Sequence, residues 1–353
     1  MRILSLTPWP IYPAMSGGQE RCWNLLSRIP DNTVYSLDWL GESKHHRQGN
    51  TNLKVIAADH KAKEQAQKLI ASGIQTYDAM PMLTKDNLTT FRKEIDNYDP
   101  DLIILEHPWM LDLIEDRPFV YDSHNCETAS TFQQRPQSLD LNLVKDLERR
   151  ATQQAEHMTY TSEDDLNQMR KLYPFTTPAT HVPNGVEIPE QRATGEELNL
   201  MFVGSLYGPN IQAAKTLIAL APLIPEYKIR IAGTVCNLLE SDHPNVELLG
   251  QVTDKQLDYY MRSSFAFVNL MGMGSGTSLK VGRALAYGLP VISTLIGGRG
   301  YTSPLTTSPA YLPDMLQAIR KNWQHHSDKA YAEALTLTWD IVADTFTKAI
   351  YSA

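Results

Sequence analysis

Short apolar runs bounded by turn residues alternate with stretches of helical spacing along the whole chain. Residues 2–7 (RILSLT) read as a buried strand. A loop rich in Pro and Gly follows, then QERCWNLLSRI, where Cys22, Leu25, Leu26 and Ile29 fall at i, i+3, i+4 and i+7 and predict an amphipathic helix. TVYSLDWL and KVIAA predict two further strands, and polar helices follow near 61–71 and 85–96. DLIILEH (101–107) and FVYDSHN (119–125) predict strands that end in polar groups. A long helix over 141–157 carries charges at i,i+4 spacing, with Glu148, Arg149 and Arg150 expected on a solvated face. MTYTS is the next strand, and Ser162 ahead of Glu163, Asp164 and Asp165 marks a capped, acid-rich helix start.

The run HVPNGVEIP (181–189) breaks this series, which places a domain boundary near residue 190. A second series then begins: strand NLMFVGS (199–205), helix 210–224, strands YKIRIAGT and NVELLGQV, and helix 253–263 capped by Thr253. A helix over 313–323 follows the stretch described next. The last segment carries an apolar stripe of Trp339, Ile341, Val342, Phe346 and Ile350. Strands alternating with helices predict an α/β chain with doubly wound sheets, whose functional groups lie at the carboxyl ends of the strands.

The stretch Phe265–Gly300 is the richest in chemistry. It reads as strand (FAFVNL), glycine turn (MGMGSG), helix (TSLKVGRALAYG) and strand (LPVIST), a unit that favours a parallel pair with the turn at the ligand-binding edge. Gly272, Gly274 and Gly276 let backbone N–H groups approach a ligand, and a helix start suits phosphate. Ser275 or Thr277 is expected to cap the helix or to bond an anion. Lys280, Arg283 and Tyr287 lie at i, i+3 and i+7 and share a helix face, where two cations oppose the helix dipole unless an anion is present. The alternative is a solvated basic face beside a glycine turn without a ligand. Gly17 and Gly18, ahead of the first helix, are open to the same two readings. His124, at the end of an apolar strand between Ser123 and Asn125, is either a hydrogen-bonded structural group or a functional one.

With 353 residues, 42% of them hydrophobic, the chain can bury a core in each of two domains. No apolar run approaches the roughly 20 residues of a membrane span, and MRILSLTPWP reads as a strand opening rather than a signal peptide. Cys22, Cys126 and Cys236 show no metal or redox spacing and suit a reducing cytoplasm. The net charge of −8 gives no footprint for nucleic acid.

The run GSGTSLKVGRALAYGLPVIST resembles the donor-binding segment of family 4 glycosyltransferases of the GT-B fold. There a glycine turn, a lysine, a glutamate, a small-residue helix, a glycine and Pro-Val precede a strand. Lys280, Gly288, Pro290 and Val291 match, Arg283 stands where the ribose-holding glutamate is usual, and Ser275 where an earlier glutamate often sits. YDSHNCE is similar to the family's D-x-H-N-x-E stretch, LEHPW to another of its segments, and VPNGV to its interdomain segment. LMFVGSLYGPN resembles the first strand and loop of the second domain in a GS-x-x-x-PN subgroup, with Ser205 where many members carry Arg and Lys.

The resemblance implies two Rossmann-like domains facing across a cleft, 1–190 for the acceptor and 191–335 for the donor. It implies a C-terminal helix, 336–353, that crosses back to the first. It implies transfer of a hexosyl or pentosyl group from a nucleotide sugar, UDP- or GDP-linked, to an acceptor hydroxyl with retention at the anomeric carbon. Gly204, Ser205, Gly274, Ser275, Gly276, Thr277, Lys280 and Arg283 would bind the donor, with Arg283 on a phosphate or carboxylate. Gly17 and Gly18 would lie between donor and acceptor. His124 and Lys280 would be catalytic, His124 on the sugar or acceptor and Lys280 on the diphosphate. The acceptor would be a glycan, a lipid-linked sugar or a small molecule, and the protein cytoplasmic or peripheral at the membrane. No Asp-rich metal motif is evident, so neither metal nor cofactor is expected. Two alternatives stay open: glycosylation of modified nucleic acid bases, which the acidic balance disfavours, and a catalytically silent GT-B binding module.

Overall fold

Two sheets of mainly parallel strands organise the chain, one in each of two compact units. The computed structural model describes residues 1–71, 88–134 and 141–353. The first unit comprises residues 1–183 together with 342–353, and the second residues 184–341.

In the first unit the strands are β1 (Ile3–Thr7), β2 (Thr33–Asp38), β3 (Lys44–Gln48), β4 (Thr51–Ala57), β5 (Leu102–Glu106), β6 (Phe119–Ser123), β7 (His157–Tyr160) and β8 (Ala179–His181). They lie in the order β3-β4-β2-β1-β5-β6-β7-β8. All neighbours are parallel except β3 and β4. The central strands are buried on both faces, which is why they read as continuous apolar runs such as LIIL at 102–105. β3 escapes the sequence pattern. Its residues KHHRQ are all exposed, and only the hairpin to β4, turned through Gly49 at φ +60°, makes them a strand. Charged residues on such an edge discourage pairing with another chain. The helix expected near 85–96 is described as Thr89–Tyr98, residues 85–87 lying outside the described residues.

One expectation fails here. Glu148 is fully buried, not on a solvated face. Its carboxylate turns from the helix Leu141–Gln154 onto the N-terminus of the helix Glu127–Gln134. There Glu127 N–H donates to Oε1 at 2.6 Å and Thr128 N–H to Oε2 at 3.0 Å. These amides are among those a helix start leaves unpaired, and a carboxylate also matches the helix dipole. Burial nevertheless pushes the Glu148 carboxyl up to about 7, against the hydrogen bonds that favour its anion. Arg149 and Arg150 follow the expectation in part, both pairing with Asp146, Arg150 also with Asp112.

In the second unit the strands are β9 (Asn199–Val203), β10 (Lys228–Ala232), β11 (Val246–Gly250), β12 (Ala266–Asn269), β13 (Val291–Ser293) and β14 (Leu305–Thr306). Their order is β11-β10-β9-β12-β13-β14, all parallel. β12 and β13 pair in the register Phe267↔Val291, Val268↔Ile292, Asn269↔Ser293, as the strand-turn-helix-strand reading requires. The helix between them, Leu279–Ala286, stops at Gly288. Gly288 takes φ +68° and donates to Leu285 O, while Leu289 N–H reaches back to Ala284 O. These two bonds, made around a left-handed glycine, satisfy the carbonyls of Ala284 and Leu285 and turn the chain into β13. The VPNGV segment ties the ends of this unit together: Val186 N–H donates to Leu337 O, and Trp339 N–H to Val186 O.

The last helix, Trp339–Tyr351, starts in the second unit, and its residues from 342 on belong to the first. Trp339, Val342, Phe346 and Ile350 are buried as the stripe predicts, whereas Ile341 is 49% exposed and leaves it.

Replacing Glu148 by leucine strands two buried amides. We expect a loss of about 2 kcal/mol or more in urea unfolding. Arg149→Leu should stay within about 0.5 kcal/mol, because the exposed Arg149–Asp146 pair contributes little.

Candidate functional site

The carboxyl ends of β5 and β6 bring together the polar residues that end LIILEH and YDSHN. Asp122 and Glu106 are fully buried and His124 is nearly so. Arg21, from the helix Gly17–Leu26, donates to Asp122 from Nη2 at 2.8 Å and Nε at 3.1 Å, and from Nη1 to the carbonyls of Val182 and Pro183 at 3.1 Å each. Thr159 Oγ1 also donates to Asp122 at 2.5 Å. His124 Nε2 lies 2.7 Å from Glu106 Oε2 and 3.3 Å from Asp122 Oδ2. Its ring packs on His107, centroids 4.2 Å apart, and His107 packs on Trp9 at 4.8 Å. His107 is held at φ +68°, a conformation that a side-chain-bearing residue adopts only where its surroundings impose it, and its Nδ1 meets Glu127 Oε1 at 2.9 Å.

The charges in this cluster set one another. Burial alone would neutralise His124, but the hydrogen bonds and charges of Asp122 and Glu106 outweigh it and raise its pKa to about 9. Burial likewise disfavours the Asp122 carboxylate, yet Arg21 and His124 hold it well below the usual range. Glu106 is raised, chiefly by burial and by the charge of Asp122. His107 shifts the other way: burial, with His124⁺ beside it, lowers its pKa. Two cations, Arg21 and His124, therefore balance two carboxylates. Cys22 Sγ, a Glu106 oxygen and a His124 ring nitrogen lie within 4.8 Å of one another, close enough to share a metal ion. A thiol must lose its proton to ligate, and burial and the nearby carboxylates hold the Cys22 pKa well above its ordinary value. Here it donates to Glu106 Oε2 at 3.3 Å.

The glycine turn of the second unit is built differently. Gly274 has φ +150° and Gly276 φ +65°, so the turn depends on glycine at the latter especially. The expectation that Ser275 or Thr277 caps the helix is not met. The cap position is Ser278, which makes no side-chain capping bond, and the helix begins at Leu279. Thr277 instead accepts from Asn184 Nδ2 at Oγ1 (2.7 Å) and at its carbonyl (3.1 Å). Lys280 is directed inward. Its Nζ donates to Asn210 Oδ1 at 2.5 Å and lies 4.6 Å from the centre of the Phe202 ring, and burial lowers its pKa to about 7. Asn210 also donates from Nδ2 to the carbonyl and hydroxyl of Ser205, both at 3.2 Å. It thereby joins the GS and PN ends of the GS-x-x-x-PN motif to Lys280. Gly204 lies in the same loop, its carbonyl so close to Gly233 that a Cβ on Gly233 would stand 2.2 Å from it.

The structure thus groups Gly204, Ser205 and Lys280 through Asn210, and Gly274, Ser275, Gly276 and Thr277 in one turn. Arg283 is half-buried, and its charge acts on Tyr287, whose hydroxyl donates to Asp258 at 3.0 Å. The Lys280 shift traces to burial alone and not to repulsion by Arg283. Gly17 and Gly18 open the first helix behind the cap Ser16, and neither has a positive φ. Sequence reasoning missed Arg21, Glu106 as partner of His124, and Asn210. The signal for Arg21 was a charge beside the apolar Cys22 on a helix ahead of two acid-tipped strands.

Residues 46–189 match the family described as Glycosyltransferase Family 4, and residues 197–321 the one described as Glycosyl transferases group 1. The fold is that of solved GT-B structures. A sucrose-phosphate synthase from Thermosynechococcus elongatus is similar at TM-score 0.73 and 14% identity, over 100% of this chain and 99% of that one. The chain belongs to the family 4 glycosyltransferases of the GT-B fold. Other structures similar to this glycosyltransferase include an α,α-trehalose-phosphate synthase (UDP-forming) from Burkholderia xenovorans in complex with glucose-6-phosphate. It matches at TM-score 0.73 and 10% identity, over 99% of this chain and 100% of that one. HepE from Anabaena in complex with UDP matches at TM-score 0.67 and 15% identity, over 100% of both chains. Comparison with curated proteins by sequence gives no match. Among the described residues, no helix of the glycosyltransferase is long and apolar enough to cross a membrane.

The raised pKa of His124 has a stability consequence. Its protonated form is favoured in the folded state, so the stabilisation is fully present below the unfolded value of about 6.5 and is lost as pH rises through about 9. We expect the wild-type melting temperature to fall between pH 7 and 9.5, corresponding to at most about 3 kcal/mol. His124→Gln should be less stable at pH 7 but show a much flatter profile. Equal slopes for the two proteins would place the titration elsewhere.

Proposed function

We propose that this enzyme transfers a glycosyl group from a nucleoside diphosphate sugar to the hydroxyl of a sugar acceptor, with retention at the anomeric carbon. The observation that carries the reading is Lys280. It is a half-buried lysine at the start of the helix behind a glycine turn, its side-chain partners the neutral Asn210 and Phe202, where a nucleoside diphosphate would supply an anion. The UDP in HepE and the glucose-6-phosphate in the trehalose-phosphate synthase are the ligands of structures with this fold. They support a uridine nucleotide donor and a phosphorylated sugar as the first acceptor class to try. No metal or cofactor is invoked.

As the bond to the anomeric carbon breaks, negative charge grows on the leaving diphosphate. Donors already in place stabilise it without reorganising. Lys280 and the amides between Gly274 and Thr277 fill that role. His124, an imidazolium whose Nε2 is engaged by Glu106 and Asp122, offers its other ring nitrogen as a donor to an oxygen of the sugar or acceptor. Its charge suits an anionic acceptor. Arg283 can only donate, so in the place of the glutamate it holds an acceptor group of the donor nucleotide.

Release of nucleotide from a panel of UDP- and GDP-sugars, with and without sugar phosphates, tests the activity. In that assay Lys280→Ala should lower turnover on the order of 10²-fold or more, with native circular dichroism. Full activity in this variant would remove the assignment. A second expectation concerns protons. Lys280 titrates near 7 without an anion, and a diphosphate beside it raises that value, so donor binding takes up a proton at pH 7 and above. Affinity should fall as pH rises above about 7. Calorimetry in buffers of different ionisation enthalpy should show uptake in the wild type and none in Lys280→Met.

A further inference from the structure

Arg299 comes from the loop after β13, in the run GGRG, and it reaches back to the glycine turn. Its Nε donates to Gly276 O at 2.7 Å and its Nη1 to Gly274 O at 2.9 Å. The two peptide bonds that begin at these carbonyls, 274–275 and 276–277, are trans. In a trans peptide the C=O and the following N–H point in opposite directions. With both carbonyls turned onto the guanidinium, the N–H groups of Ser275 and Thr277 are turned away from it. Among the described residues neither amide has an acceptor. A carbonyl bonded to a cation also polarises its peptide unit, which makes the attached N–H a stronger donor.

The loop that carries Arg299 is itself pinned at both ends. Asn269 Nδ2 donates to Gly297 O at 2.8 Å. On the far side Glu333, from the helix Trp323–Leu335, takes four bonds from two residues. Thr302 N–H and Ser303 N–H donate to its two oxygens at 2.6 and 2.8 Å, and both hydroxyls join them. Tyr301 OH donates to Ser278 O, the residue that opens the helix of Lys280. A chain of hydrogen bonds therefore runs from Glu333 through the loop to the turn.

We propose that Arg299 is a positioning residue for the nucleotide-sugar donor: it holds the Gly274 and Gly276 carbonyls inward so that the Ser275 and Thr277 amides face the donor's phosphate and sugar oxygens, and Glu333 fixes the loop that places it. The inference rests on the donor reading of this turn. It assigns Arg299 no contact with the donor. Its charge is spent on the two carbonyls, so arginine is needed for its two separated N–H donors and not as a phosphate cation.

The test uses the full-length enzyme with Arg299→Lys, which keeps the charge but has a single donor tip, and Glu333→Gln, which weakens the anchor without touching the turn. Three readouts are taken: UDP and inorganic pyrophosphate binding by calorimetry, kcat and KM with the UDP-sugar that the wild type uses, and the amide ¹⁵N–¹H shifts of Ser275 and Thr277 on adding pyrophosphate. The expected result is a fall in kcat of roughly 10²-fold for Arg299→Lys, larger than its change in KM, because the amides act most on the charge of the leaving group. Glu333→Gln should change in the same sense and less. Both amides should shift in the wild type and not in Arg299→Lys. If UDP binds the wild type and Lys280→Ala weakens it while both new variants match the wild type, the positioning role is wrong and the donor reading stands. Anion binding that depends on Arg299, with no nucleotide sugar turned over, upholds the positioning role and removes the donor reading. Failure of UDP and pyrophosphate to bind the wild type at all overturns both. A lowered melting temperature with unchanged kcat well below it would make Arg299 a stabilising group only, which also overturns the proposal.

Discussion

The buried ion pair between Arg21 and Asp122 is the constraint on which the first unit depends. Neither group reaches solvent, so each would be intolerable without the other, and breaking such a pair from one side costs about 3–5 kcal/mol. The pair does more than neutralise charge. Arg21 spans from the first helix to the tip of β6 and on to the carbonyls of Val182 and Pro183, where the chain leaves this unit. Asp122, fixed by Arg21 and Thr159, presents its remaining edge to His124. The position and the charge of His124 are thus consequences of a salt bridge that lies behind it.

Among the described residues, the second unit reaches a comparable order without a fully buried ion pair. Its turn is held by neutral or singly charged donors on carbonyls: Asn184 on Thr277, Arg299 on Gly274 and Gly276, Tyr301 on Ser278. Backbone carbonyls are abundant and need no desolvated counter-charge, so an arginine can be half-buried on them at little expense. The same economy explains Asn210. One amide satisfies the Ser205 loop with its NH₂ and Lys280 with its oxygen, and it joins two motifs that lie 70 residues apart.

The sequence was readable where a signal was local and periodic. Buried parallel strands such as 102–105 and 119–121 are apolar throughout, and the turn, helix and Pro-Val of 274–292 keep a fixed spacing, so both elements and their order could be written down in advance. β3 could not, because KHHRQ has no apolar face and owes its pairing to β4 alone. Glu148 was misread for the converse reason. On a helix otherwise charged at i,i+4, nothing local marks the one carboxylate whose partners are amides of a different helix. Arg21 and Asn210 belong to the same class. Their partners are 101 and 70 residues away, and only the fold brings them together. His124 was noticed for its motif, but whether its ring nitrogen met a ligand or a carboxylate depended on Glu106, on the neighbouring strand. That pairing is set by the β5·β6 register, Glu106 opposite Asp122.

The two candidate catalytic cations are prepared in opposite ways, and the difference suits the tasks proposed for them. His124 is charged before any substrate arrives, because two buried carboxylates hold its proton up to about pH 9. A group that must donate to an oxygen of the sugar or acceptor has to be a donor in the resting enzyme, and a neutral imidazole with the wrong tautomer would not be. Among the described residues Lys280 meets no carboxylate. Burial lowers its pKa to about 7, so it is only partly charged at neutral pH, and its resting partners are an amide oxygen and an aromatic face. A permanent counter-ion there would compete with the proposed diphosphate for the ammonium and weaken that interaction. In the proposed reaction the lysine would take up its full charge on binding the diphosphate, and the stabilisation would grow as charge accumulates on the leaving group. Arg283, in the place where a carboxylate is usual, is consistent with this. A glutamate one helical turn from Lys280 would supply a counter-ion there, whereas under the proposed function an arginine would leave the diphosphate as the anion for Lys280.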